Sequence, residues 1–499
     1  MTLARFREEP WRTSHPAYQD SGLAMSPAPE YASSEVLLSS LYRHIGLEGA
    51  SERTVPQRGR EMDKEVLWHR DRDRKPDGAV LDADVFQALL HSVLESPKLP
   101  NQSAKRFVQV TPLVPQAAAF SGSARLSANS WPAGALARRM IWLGSRDRPE
   151  AEATWKALFE ALAVVDDDDV FARFLQAEIH SWAPGPEWAL LPSNEHFTID
   201  PDDQRDASFP ARRLVGDLAA VIAAKPAMTR RQWTSLLESV LRLAAVAHVA
   251  WTCDVHAKTW SCLRGALDGG GPRDVEETRA SVFPRPFQFL SYGDRALPAM
   301  KDRASAFLQA RLGLNATLWA LEAIEPGQHD LSSARGIHGL CDRVRNNASA
   351  LEKLGLRDIL SDVSERETRT LLCKKGIGSN IMEFARHVLG QRQAANPVLR
   401  GYDQGFVLKK RGPGNGAPWV VGMGPVAILA LVHCSLAGAS GPRSVRRLSQ
   451  HLSAYGIAVD HRDISTNDLG HQLRMLGLVL DSPDAESGML LVPPFPSAT

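Results

Sequence analysis

Residues 229–251, TRRQWTSLLESVLRLAAVAHVAW, constrain the fold of this chain more than any other stretch. Trp233, Leu236, Leu237, Val240, Leu241, Ala244 and Val246 recur at helical spacing and form an apolar stripe too wide for a surface helix, with Thr229 placed as its N-cap. A helix of this kind is buried. Helical spacing recurs at 82–94, 148–163, 168–182, 211–224, 296–323, 331–354 and 378–393, and a shorter helix is expected at 34–45. Residues 106–114, RFVQVTPLV, alternate like a strand. No period of roughly 20–50 residues repeats, which argues against a solenoid. Asp166, Asp167, Asp168 and Asp169 stand at a helix start, where carboxylates cap free N–H groups; consecutive side chains fan around the helix, so they are read as caps rather than cation ligands.

Composition removes several classes. With 499 residues, 44% apolar and 23% charged, the chain has neither the Gly and Pro of a collagen nor the charge excess of a disordered protein. The cysteines, at 253, 262, 341, 373 and 434, are too scattered for a disulfide framework, which points to a reducing compartment. The N-terminus has no apolar core for a signal peptide, and no stretch reads as about 18 consecutive apolar residues, so a cytoplasmic protein without a membrane partner is expected. The net charge of +1 is a cancellation: residues 1–330 sum to −5, 331–450 to +10 and 451–499 to −4. A basic segment inside a neutral chain is the pattern of a module that touches phosphate, or of a solvated helical surface.

Four segments follow from these textures. Residues 1–80 read as a largely flexible arm and linker with one short helix, because 1–35 and 49–78 mix charge, Pro and Ser without periodicity. Residues 81–330 form a helical body, 331–400 a basic helical segment, and 401–499 a β-hairpin followed by a compact helical module. In the last of these, GFVLKKRGPGNGAPWVVG gives two short strands, 406–410 and 419–421, around a basic Gly/Pro turn. Pro425 opens an apolar helix that Gly438 ends, RSVRRLSQHLSAYG makes a second, and a strand at 457–459 leads to a third capped by Ser465 or Thr466. LVLD and MLLV close a final hairpin. This order, with the phrase LRMLGLVLDSPDAESGMLLV, resembles the third helix and wing of winged helix-turn-helix proteins over about 425–495.

That resemblance implies a third helix in the DNA major groove and a wing on the backbone. The charges fit it poorly. His471 and Arg474 stand beside Asp468, and the wing carries Asp481, Asp484 and Glu486, which would repel phosphates. The cations lie instead on the second helix, Arg443, Arg446 and Arg447, and on the hairpin, Lys409, Lys410 and Arg411, with Lys374 and Lys375 in a further loop. The layout of a long helical body with this tail, carried by TRRQWTSLLESVLRLAAVAHVAW and by GPVAILALVHC through MLLVPPF, also resembles accessory subunits of bacterial multi-gene anti-phage defence systems of the methylation-associated type.

Catalytic signatures are lacking. No Walker loop, dinucleotide fingerprint, nucleophile elbow, zincin or kinase motif is present. Cys253-x-x-His256 and His338-x-x-Cys341 each place two soft ligands on one helical face and could together supply Cys2His2 coordination to zinc; the alternative is that all four are core residues. The expected protein is therefore mainly α, a multi-helix body with a C-terminal winged helix-turn-helix preceded by a β-hairpin. Its expected role is that of a non-enzymatic subunit of a bacterial multiprotein complex of the anti-phage defence kind, which docks proteins encoded in the same operon through its basic C-terminal region, with double-stranded DNA as a further candidate partner of that region. A stand-alone DNA-binding regulator and an enzyme whose site joins distant residues are the alternatives.

Overall fold

A computed structural model describes residues 2–25, 37–51, 54–94, 112–120, 133–183, 185–193, 209–283, 287–372, 377–392, 402–412, 416–482 and 488–495. It is mainly helical, with few and short strands.

The N-terminal third carries α1 (Leu3–Glu8), α2 (Pro16–Gln19), α3 (Leu37–Gly46), α4 (Val55–Arg70), α5 (Ala83–Leu94), α6 (Ala133–Gly144), α7 (Arg148–Leu162) and α8 (Val170–Trp182). Here two expectations are corrected. Residues 2–25 are no arm: Phe6, Tyr18, Leu23 and Met25 are buried, the His15 N–H donates to Asn315 Oδ1 at 2.8 Å, and Arg139 holds the carbonyls of Ser21 and Gly22. Residues 55–70 form a full helix rather than a linker. Its buried stripe joins Val55, Gly59, Met62 and Val66, with only three apolar side chains of any size to show against its many charges. The Asp run caps as expected: Asp169 accepts the N–H groups of Phe171 and Ala172. Of the strand expected at 106–114, residues 106–111 lie outside those described, and Pro115–Ala119 is a 3-10 turn.

Next come α9 (Pro210–Ala223), α10 (Arg230–Leu267), α11 (Val275–Val282), β1 (Leu290–Ser291), α12 (Leu297–Ile324), α13 (Ala334–Asn346), α14 (Ala348–Lys353), α15 (Leu356–Leu372) and α16 (Ile377–Leu389). α10 is the spine. Thr229 and Gln232 close a reciprocal capping box at its start, and α3, α6, α9, α11, α12, α13 and α16 all pack on it. It does not stop near Trp251 but runs 38 residues, roughly 57 Å at helical rise. Its second half hides its burial from sequence by using small and polar residues, whose groups bond back into the helix: Thr252 to the His248 carbonyl, His256 Nδ1 to that of Thr252, and Thr259 to that of Val255, each at 2.8 Å. α10 is long and apolar enough to cross a bilayer, contrary to the reading of its composition, and that apolar window is wholly buried among other helices. The helix expected at 331–354 breaks at Asn347 into α13 and α14.

The C-terminal segment carries β2 (Leu408–Lys410), β3 (Trp419–Val421), α17 (Pro425–Ser435), β4 (Arg443–Ser444), α18 (Arg446–Ala454), β5 (Ile457–Ala458), α19 (Asp468–Met475), β6 (Val479–Asp481) and β7 (Met489–Leu491). β2 and β3 pair antiparallel as expected. α17 has Pro425 at its first position, and Gly438 follows it at φ 73°, in the left-handed region open to glycine. The N-cap of α19 is Asn467, one residue beyond the two expected. β4 was not foreseen; it joins the final hairpin in a sheet of order β4-β7-β6. β5 leaves that sheet and pairs parallel with β1 of the body.

Candidate functional site

The seat of the C-terminal segment is built from buried charge. Asp217 on α9 accepts Nε2 of His451 at 3.0 Å and the hydroxyl of Tyr455 at 2.7 Å, both from α18 and its end. All three side chains are buried, and burial followed by the Asp217 charge drives the Tyr455 phenol far above its ordinary pKa. A second clamp joins α10 to the link before β2. Arg242 pairs Nη1 and Nη2 with the Asp403 carboxylate, at 2.7 and 3.2 Å, and donates from Nε to the carbonyl of Val388 and from Nη2 to that of Gly390 at the end of α16. Burial alone would raise the Asp403 pKa, but Arg242 and Arg392 outweigh it and hold the carboxyl below its ordinary value. Glu238 accepts the N–H groups of Leu37 and Leu38, capping α3, and pairs with Arg392.

The expected contact residues divide on this scaffold. Lys409 is spent on Asp468 of α19, Nζ to Oδ2 at 2.8 Å, and Lys410 lies over the Trp419 ring at 5.7 Å. Arg411 is exposed at the hairpin tip. Arg474 grips Asp481 of β6 with Nε and Nη2, at 3.2 and 3.1 Å, and the Ser465 carbonyl with Nη1. His471 is exposed. Arg443, Arg446 and Arg447 sit together at the entry to α18, exposed, with Arg447 donating to the Ser435 carbonyl at 3.1 Å. Lys374 and Lys375 lie outside the described residues.

Sequence reasoning missed the apolar character of the outer surface of α19 and the final hairpin. Met475 is 74% exposed and Leu480 52%, with Leu476 between them also exposed. Met475 and Leu476 stand at the end of α19, where Gly477 at φ 67° turns the chain sharply into β6. In that hairpin Leu480 stands opposite Leu490, on the face away from the buried Met489 and Leu491.

The four zinc candidates do not come together. His256 sits among the rings of Tyr18 and Phe307 with Nδ1 on a backbone carbonyl, while His338 faces Thr278 and Asp342. Burial pushes the Cys341 thiol up to about 12, with Cys262, rather than Cys253, as its thiol neighbour. Among the described residues no group of three or more His, Cys, Asp or Glu side chains could hold a metal ion. Comparison with protein-family models, curated proteins and solved structures finds no match.

Proposed function

We propose that the chain is a non-enzymatic subunit of a bacterial multiprotein complex, of the anti-phage defence kind, that docks a protein partner through a C-terminal winged helix. Support for the winged helix is the element order from α17 to β7 with a sheet in which the first strand pairs the last, the arrangement of that fold. One observation favours protein over DNA as its ligand. Where a DNA-reading winged helix needs free cations, α19 and the hairpin present Met475, Leu476 and Leu480, and the nearby charges are already paired as Lys409–Asp468 and Arg474–Asp481. Exposed apolar clusters of this sort mark protein interfaces.

The test is co-purification of the full chain with the products of neighbouring genes. Met475→Asp with Leu480→Asp should lower partner recovery at least tenfold, and Arg446→Glu with Arg447→Glu should not change it. Equal recovery by the first pair overturns the reading. Double-stranded DNA is the second reading, favoured by the exposed Arg443, Arg446 and Arg447. It expects a gel shift that weakens steeply with salt and is lost in the arginine variant.

A further inference from the structure

A cavity of about 430 Å³ opens where the body meets the C-terminal segment. Three remote stretches line it: the first turns of α10, residues 402–405, and the start of α17, with Phe495 closing one side. Its size falls within the roughly 300–1,000 Å³ of small-molecule sites.

The wall has two chemistries. One part is apolar, from Met228, Leu236, Val426, Leu429 and Phe495. The other carries Arg231, Arg242 and Arg392 against only two carboxylates, Glu238 and Asp403. Those carboxylates are committed to the protein. Asp403 accepts from Arg242 twice and from the N–H groups of Arg392 and Gly405; Glu238 accepts from Arg392 and from the N–H groups of Leu37 and Leu38. A cation entering the cavity would find its acceptors engaged and two arginines beside it. The Arg231 guanidinium, by contrast, has no partner among the described residues, and its side chain stands at the exposed rim.

We infer that this cavity is a binding site for an amphipathic anion, a carboxylate or phosphate on a short apolar body, with the head at Arg231 and the tail against Leu236, Leu429 and Phe495. Because α10 and α17 both line it, the ligand bridges the body and the C-terminal segment. The inference is independent of what α19 docks.

Calorimetric titration of the full chain with three probes of equal tail, octanoate, 1-octanol and octyltrimethylammonium, all below micelle concentration, tests it. Octanoate should bind saturably at one site and raise the Tm; octanol should bind at least tenfold more weakly and the ammonium not at all. Arg231→Glu should weaken octanoate at least tenfold while leaving the Tm of the free protein unchanged, since the residue is exposed. Leu429→Trp, which fills the cavity, should abolish binding. Equal binding of the three probes, no saturable octanoate binding, or octanoate affinity unchanged in Arg231→Glu would each overturn the assignment.

Discussion

Asp217 shows how much of this molecule hangs on single buried groups. Its carboxylate is 3% exposed and receives two donors, from α18 and from the residue that ends it, more than 230 residues away in sequence. Removing it leaves His451 and Tyr455 buried without their acceptor, so Asp217→Ala should cost about 3 kcal/mol in a urea unfolding curve, and Asp217→Asn, which keeps an acceptor oxygen, clearly less. No sequence pattern could have announced it, because an Asp on a helix has no visible partner until the chain folds. The histidines of α10 set the acid limit. Burial and nearby arginine charge press His248 down to about 3 and His256 to about 4. The unfolded chain binds those protons near pH 6.5 and the native chain does not, so stability is full above that pH and falls as the pH drops from 6.5 towards 4. Unfolding midpoints in urea should be flat between pH 8 and 7 and decline steadily below 6.5, and His256→Phe should flatten part of that decline.

At the scale of elements, period was legible and close approach was not. The spine announced itself because Trp, Leu and Val mark its first half; its second half, and the whole of α4, escaped because small, polar or charged residues carry a burial that only neighbours reveal. Two-residue strands such as β1 and β4 leave no alternation to read. Glycines separate the two kinds of information well. At the end of α6, a Cβ on Gly144 would stand 2.1 Å from the carbonyl oxygen of Ala211 at the start of α9, so this glycine is what lets the two helices touch. Gly144→Ala must push backbone apart and should lower the Tm by several degrees, about 2 kcal/mol or more. On α9 itself, Gly216 is exposed, and a Cβ there would meet nothing within 4 Å. Gly216→Ala should therefore raise stability by about 0.5–1 kcal/mol through helix propensity alone. The same substitution thus takes opposite signs on two neighbouring helices, one glycine inside their contact and the other facing solvent, and thermal melts of both variants check it.

For the whole molecule, charge texture divided the chain where packing does not. The swing from −5 to +10 near residue 331 and the change of texture at 401 suggested modules, yet surface charge reports on solvent, not on where cores end. The C-terminal segment shares its core with the body: α17 lies on α9 and α10, β5 takes β1 as its only described strand partner, and Gly390 and Arg295 bridge to Leu408 and Val420 of the β2–β3 hairpin. To this are added the buried pairs Arg242–Asp403 and Asp217–His451, each with one member on either side of the boundary. A fragment of residues 401–499 would expose the inner face of α17 and leave His451, Tyr455 and Asp403 without their partners, costs that a hundred residues with few strands cannot offset. The full chain should then unfold without a separate early transition for this segment, and the fragment alone should lack a cooperative melt and the near-ultraviolet dichroism of Trp419 and Tyr455. A fragment that melts cooperatively with that dichroism intact would show that the interface with the body is a docking contact between independent domains, and the coupling argued for the cavity between α10 and α17 would then act between domains rather than within one core.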